Sequence, residues 1–259
     1  MSRPVILSIA GHDPSGGAGI QADIETAAAH GCHAATVVTS LTVQNTEEFN
    51  ELNPTDSRLV TAQLHAIMKS MPIAAIKVGL LGSADNLGAV AAMLRRHRGI
   101  PVIFDPVLAS GSGKELVSSF LIVSIIAEFL KLTSLCTPNL IEARKLSGEQ
   151  APDACAAELL KSGTGAVLIT GGHGDEPRLT NRLYRRDAPT RSWELERLAG
   201  DFHGTGCTLS TAIACNLATG AALPEAIEAA QHYVSGTLRE ADNYGPGQRI
   251  PTRVAACDC

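Results

Sequence analysis

The feature that most constrains this 259-residue chain is a repeated switch between two hydrophobic patterns. Short runs rich in β-branched residues, VILSIA (5–10), AATVVTSL (34–41), AAIKVG (74–79), PVIFD (101–105) and AVLIT (166–170), lack polar alternation, as strands covered on both faces do. Between them lie helical patterns: AGIQADIETAAAH, SRLVTAQLHAIMKS, ADNLGAVAAMLRRH, LIVSIIAEFLKL and DACAAELLKS. Such alternation predicts right-handed βαβ units in an α/β fold, a doubly wound, mainly parallel sheet with helices on both faces. Ligands of such sheets bind beyond the carboxyl ends of the strands. Residues 181–198 place Tyr and Trp amid alternating charge and predict a hairpin or meander near an edge, followed by two long helices, GCTLSTAIACNLATG and LPEAIEAAQHYVSGTLREA. Neither a repeat nor a linker interrupts the chain, so residues 1–259 are expected to form a single domain.

Charge and cysteine usage narrow the function classes. With 21 basic and 26 acidic residues the net charge is −5, and no dense Lys/Arg run is present to track a phosphate backbone, so a nucleic-acid partner is not expected. The opening MSRPVILSIAGHD has too short an apolar run for a signal h-region or a membrane span, which predicts a cytoplasmic protein without a membrane partner. The seven cysteines form no C-x-x-C pair and no Cys/His metal spacing, so reduced thiols are expected. Cys32, Cys136, Cys155 and Cys215 read as small buried hydrophobes, whereas Cys257 and Cys259 fall in a terminal tail.

Glycine-bearing turns then point to phosphate. GHDPSGGAG (11–19), GSADN (82–86) and GSGKE (111–115) follow predicted strands, and HGTGC (203–207) opens a helix. Glycine lets backbone approach a ligand closely, and the free amides of a helix's first turn attract anions. A P-loop ending at Gly113-Lys114 is excluded by Leu108 and Glu115, which stand where glycine and Ser/Thr are needed. Gly17-x-Gly19-x-x-Ala22 imitates a dinucleotide fingerprint, but the acidic residue about 20 positions on is missing. Asn139 and Glu142 are spaced as a capping box; Glu142 could also orient hydrated Mg²⁺ near triphosphate oxygens. Asp23, early in a helix, complements its dipole, and the Gln44 amide offers the donor and acceptor that suit an aminopyrimidine edge. His203 reads as a turn residue bonded locally.

Together AGHDPSGGAGIQADIET, LTVQNT, KVGLLGS, DPVL, TPNLIEA, GGH and HGTGCTLSTAIA resemble the hydroxymethylpyrimidine and phosphomethylpyrimidine kinases of thiamin synthesis, in the ribokinase-like superfamily, from about residue 5 to 245. The resemblance implies a kinase using ATP and Mg²⁺. It would phosphorylate 4-amino-5-hydroxymethyl-2-methylpyrimidine and then the resulting monophosphate. It further implies that Gly11, Asp23, Gln44 and Val107 line the pyrimidine pocket and that Asp105, Asn139, Glu142, Thr170 and Gly172 serve ATP and its phosphates, with Glu142 near the metal. Gly204, Thr205, Gly206 and Cys207 would form the catalytic anion hole, and a homodimer is expected. A pyridoxal kinase of the same superfamily is the alternative, disfavoured because the flap LASGSGKEL lacks the second cysteine of some such relatives. A silent pyrimidine or nucleotide sensor is a third reading, opposed by the intact catalytic turn.

The sequence departs from the family at Thr170, where many relatives carry lysine, and at Leu80, where methionine is common. Lys114, in the glycine-rich flap, is a candidate replacement phosphate contact. Cys207 stands where the wider superfamily has an aspartate base. A helix N-terminus is expected to lower a thiol from about 8.5 and raise its thiolate fraction. A largely neutral thiol would also tolerate the phosphate acceptor of the second reaction, which is mostly dianionic because its second pKa is about 6.

Overall fold

The computed structural model describes residues 2–111, 113–172 and 178–254. Ser112 of the flap, His173 of the Gly-Gly-His motif and the tail residues Cys257 and Cys259 lie outside the described residues. The predicted buried runs become β1 (Val5–His12), β2 (His33–Gln44), β4 (Ile73–Val78), β5 (Val102–Phe104) and β7 (Ala166–Ile169). Three of the helices between them are α1 (Gly19–Ala29), α2 (Ser57–Ser70) and α3 (Ala84–Arg96). The pattern at 121–132 is not one α-helix: α4 (Ser119–Ser124) passes into a π turn at Ile125–Phe129 and a 3-10 turn at Leu130–Leu132.

Two elements carry too weak a pattern to be read from sequence, β3 (Phe49–Pro54), a mostly exposed edge strand, and β6 (Leu135–Cys136), two residues long; α5 (Leu140–Ser147) starts at the capping box that Asn139 and Glu142 predict. The remaining elements are α6 (Pro152–Lys161), the antiparallel pair β8 (Arg178–Arg185) and β9 (Ala188–Glu196), then α7 (Thr205–Ala218) and α8 (Leu223–Arg239).

The nine strands of the described residues form one sheet in the order β3-β2-β1-β4-β5-β6-β7-β8-β9. Its centre, from β2 to β7 in that order, is parallel; β3 at one edge and β8 near the other run against it, and the edge strand β9 pairs antiparallel to β8. Strand alternation divides the core. Leu7, Ile9, Ile76 and Val78 pack with Val60, Leu64, Leu87 and Val90 under α2 and α3, with α4 to α6 continuing that layer. Ile6, Ala75 and Ile103 face the other way, against Ile213 of α7 and Ile227 of α8. Ser8 and Lys77, partners in the β1–β4 register, point to this second layer although both are polar. The chain steps outward from β1 to β2 and returns on the far side to β4, which makes the carboxyl end of β1 a topological switch point. Cys32, Cys136, Cys155 and Cys215 are buried free thiols.

Candidate functional site

Two glycine turns meet at this switch point. The loop 11–19 leaves β1 and closes at Gly19, whose φ of +60° favours glycine and whose added Cβ would strike the Gly11 carbonyl oxygen. The turn before α7 closes at Gly204, its N-cap, with φ +73°; a Cβ there would overlap the Gly17 carbonyl. Backbone of one turn therefore lies directly against backbone of the other. Beside this contact opens a cleft of about 610 Å³.

Gly11, Gln44 and Val107 line the cleft, as do Asp105, Asn139, Glu142, Thr170, Gly172 and the stretch Gly204, Thr205, Gly206 and Cys207. Asp23 does not. Its carboxylate is fully buried behind the wall, where both oxygens accept from Lys77 Nζ at 2.9 Å, and the hydroxyls of Thr211 at 2.7 Å and Ser8 at 2.5 Å also donate to it. The pattern-based reading of Asp23 as a helix-dipole partner on a solvated face, and its expected place in the pocket, both give way to a buried ion pair. A carboxylate there is tolerated because a cation on the neighbouring strand meets it.

Lys77 also acts on Asp105 and Cys207. Burial alone would depress the ammonium, but Asp23, Cys207 and Asp105 more than offset this and hold it above the usual lysine value. Burial, opposed by Lys77 and reinforced by Asp23, raises the Asp105 carboxyl, which accepts a hydrogen bond from Ser210 at 3.3 Å and lies beside the Cys207 thiol. The Cys207 thiol is pushed up to about 11, first by burial, with Lys77 pulling down and Asp105 and Asp23 pushing up; it receives the Gly19 amide. The expected lowering by the helix terminus is thus overturned: two nearby carboxylates and desolvation outweigh the dipole. At neutral pH Cys207 is a thiol.

The Asn139–Glu142 spacing forms a complete capping box. Asn139 Oδ1 accepts the Glu142 amide at 2.9 Å and Glu142 Oε2 accepts the Asn139 amide at 3.0 Å, while Oε1 faces the Leu108 amide at 3.4 Å. Burial, then the Asp105 charge, raises Glu142 to about 8. Asn139 bridges to Thr170, which brings the end of β7 beside the box. Lys114 is not directed at this cleft: its Nζ is 3.0 Å from the Asn50 carbonyl and 3.4 Å from that of Phe49, tying the flap to β3.

Several site residues escaped the sequence reading. Asp13 accepts Ser15 N at 2.9 Å, Ser15 Oγ at 2.8 Å and Ala18 N at 2.9 Å, which shapes the first glycine loop. His203 is not bonded locally; its Nε2 lies 2.8 Å from Asp13 Oδ2, across 190 residues of sequence. Arg197, another lining residue, donates to the Gly172 carbonyl at 3.1 Å and puts a guanidinium on the Thr170 side of the cleft. Only the DP of GHDPSGG hinted at Asp13, since aspartate before such a turn is a common backbone acceptor. Nothing local marked Lys77 or Arg197.

Comparison with known proteins gives the same answer as the geometry of the two turns. Residues 13–252 match the phosphomethylpyrimidine kinase family. A hydroxymethylpyrimidine/phosphomethylpyrimidine kinase of Rhizobium meliloti is 37% identical over 250 residues, 94% of each chain. Among solved structures, phosphomethylpyrimidine kinase of Clostridium difficile superposes with a TM-score of 0.80 at 29% identity, covering 91% of this chain and 100% of that one. Pyridoxal kinase of Bacillus subtilis, solved as an ADP complex, gives 0.88 at 28% identity over 97% and 98%. The chain belongs to the phosphomethylpyrimidine kinase family, with the ribokinase-like fold of these neighbours.

Proposed function

We propose that this protein transfers the γ-phosphoryl group of ATP to the hydroxymethyl group of 4-amino-5-hydroxymethyl-2-methylpyrimidine, then to the monophosphate so formed. It thus acts as a bifunctional kinase of thiamin biosynthesis. The observation that carries this reading is a hydroxymethylpyrimidine/phosphomethylpyrimidine kinase sharing 37% identity along 94% of both chains. The cleft supports it by gathering Gly11, Gln44 and Val107, assigned in this reading to the pyrimidine, with residues 204 to 207 at the start of α7, assigned to the phosphoryl group. ATP use is supported by the family and by the ADP bound to the Bacillus subtilis relative.

The residues do the following. Amides of residues 204 to 207 stabilise charge on the phosphoryl oxygens as the acceptor oxygen bonds to phosphorus and the bond to the ADP oxygen breaks. In the first reaction the hydroxyl proton passes to Cys207 Sγ as the thiol's own proton passes to the neighbouring Asp105 carboxylate. The O–H electron pair stays on oxygen and enters the new P–O bond. Asp105, whose proton affinity is raised, is suited to end that relay. The second acceptor is a phosphate dianion and needs no base.

Mg²⁺ fits the same end. Asp105 is buried and Glu142 half-buried, and the Asp105 charge raises the proton affinity of Glu142, a repulsion that a hydrated dication brought by the nucleotide would relieve. Glu142 would hold its water shell, and the ion would neutralise phosphate charge.

The test is incubation with ATP, Mg²⁺ and the free pyrimidine, with products followed by mass; sequential mono- and diphosphate are expected, and their absence overturns the reading. Pyridoxal phosphorylation is the second reading, favoured by the Bacillus subtilis likeness, and pyridoxal in the same assay decides between them. A single domain, a cytoplasmic location and a homodimer belong to the same proposal. The homodimer is supported by the apolar side chains of Leu41 and Val43 that β2 leaves exposed, and light scattering tests it. Among the described residues no helix is long and apolar enough to cross a membrane.

A further inference from the structure

Arg253 lies beyond α8, and its side chain is fully buried. A guanidinium has five N–H donors and no acceptor, so its burial requires five acceptors. Five are present. Nε donates to Thr208 Oγ1 at 2.9 Å, Nη1 to Glu25 Oε2 at 3.1 Å and to the Gly16 carbonyl at 3.4 Å. Nη2 donates to the carbonyls of Gly17 at 2.5 Å and His203 at 3.4 Å. The residue itself is fixed from behind, because Tyr233 Oη donates to its carbonyl at 2.7 Å and Thr252 N to the Thr237 carbonyl at 3.2 Å.

Three of the five acceptors are main-chain carbonyls, and they belong to the two turns that meet at the cleft. In a trans peptide the C=O and the following N–H point in opposite directions. Drawing the Gly17 carbonyl onto Arg253 therefore turns the Ala18 N–H away, where it donates to Asp13 at 2.9 Å. Drawing the His203 carbonyl the same way turns the Gly204 N–H away from the guanidinium. Thr208, held by Nε, donates in turn to the Gly204 carbonyl at 2.9 Å, which directs that peptide's N–H, on Thr205, out of the helix end. Gly204 leaves no spare room: a Cβ there would come 2.9 Å from Arg253 Nη2.

We infer that Arg253 is a positioning residue for phosphoryl transfer: its guanidinium holds the carbonyls of Gly17 and His203 so that the amides of residues 204 to 207 converge on the phosphoryl group. It is not among the residues that line the cleft. Lysine cannot replace it, since three rotating donors on one atom do not span Thr208, Glu25 and three separated carbonyls. The inference rests on the proposed kinase reaction.

The experiment measures steady-state pyrimidine phosphorylation by Arg253→Ala and Arg253→Lys, with folding followed by circular dichroism. For each folded variant kcat is expected to fall about 10²-fold while KM for the pyrimidine changes by less than about threefold, the pattern of lost transition-state stabilisation. Millimolar guanidinium ion should restore about tenfold of the Arg253→Ala loss, and methylammonium at the same concentration none, because only the fork spans the acceptors. A folded variant with kcat within about threefold of wild type, a loss that merely follows the unfolded fraction, or equal rescue by methylammonium overturns the inference. If Arg253→Ala does not fold, Arg253→Lys alone carries the same comparison. Failure of wild-type protein to form product refutes the kinase reaction instead, so the two outcomes are distinguishable.

Discussion

Lys77 Nζ lies 2.9 Å from both carboxylate oxygens of Asp23, and neither side chain is exposed to solvent. Removing one partner of such a pair leaves a lone charge in the core. Lys77→Met is expected to cost about 3–5 kcal/mol in urea unfolding, and the double change with Asp23→Leu to recover part of it, because Asp23 is then no longer a lone charge although Asp105 has still lost the Lys77 cation. A single variant as stable as wild type would show that the pair is energetically idle.

Cys207 supplies a pH prediction. With its thiol pushed up to about 11, alkylation by iodoacetamide should be slow at pH 7.5 and rise about tenfold per pH unit toward that value. Mass spectrometry of the modified peptide reads the rate. A plateau near pH 8 contradicts the desolvated site.

The relay makes the two phosphorylations respond differently to Asp105→Asn. The first, which has a hydroxyl proton to lose, should slow by about 10²-fold, and the second by much less. Cys207→Asp should show the reverse bias, since a fixed carboxylate repels the phosphate acceptor of the second step. Equal effects on both steps in either variant remove the charge explanation for cysteine at this position.

Gly204→Ala combines a left-handed φ of +73° with a Cβ placed on the Gly17 carbonyl. The turn must shift, and kcat should drop by about 10²-fold or more even where the fold survives. Retained turnover would mean that the amides of this turn do not serve the reaction.

Asp13 links the site to acid stability. Burial pushes its carboxyl up, but the bonds from His203 and Ser15 outweigh burial and hold it below the usual 3.8. A depressed carboxyl stabilises the fold above the unfolded-state value and loses that contribution as pH falls through the lower folded value. Thermal unfolding below about pH 4 should therefore be less steep in pH for Asp13→Asn than for wild type.

How much of this was legible beforehand follows from the range of each signal. Buried parallel strands and amphipathic helices announce themselves within ten residues, so the layers and the β8–β9 hairpin could be read. The edge strand β3 could not, because FNELNP faces solvent and shows no apolar alternation. At the site, glycine turns and the capping box are local and were visible. Asp23 was misread because an acidic residue early in a helix looks the same whether it meets solvent or Lys77, which lies 54 residues away. His203 and Arg253 are defined by partners 190 and 236 residues distant, and no local spacing encodes them. The shift of the Cys207 thiol was judged from the helix dipole, whereas burial first, and then charges that distant segments bring beside it, decide its proton affinity.

The placement of Arg253 also bears on synthesis. Every other described part of the cleft is translated before it, yet the carbonyls of residues 16, 17 and 203 have no guanidinium to meet until residue 253 has cleared the ribosome exit tunnel. With Arg253 as a positioning residue, a nascent chain builds its central sheet before the two turns of the cleft acquire the guanidinium that sets their carbonyls.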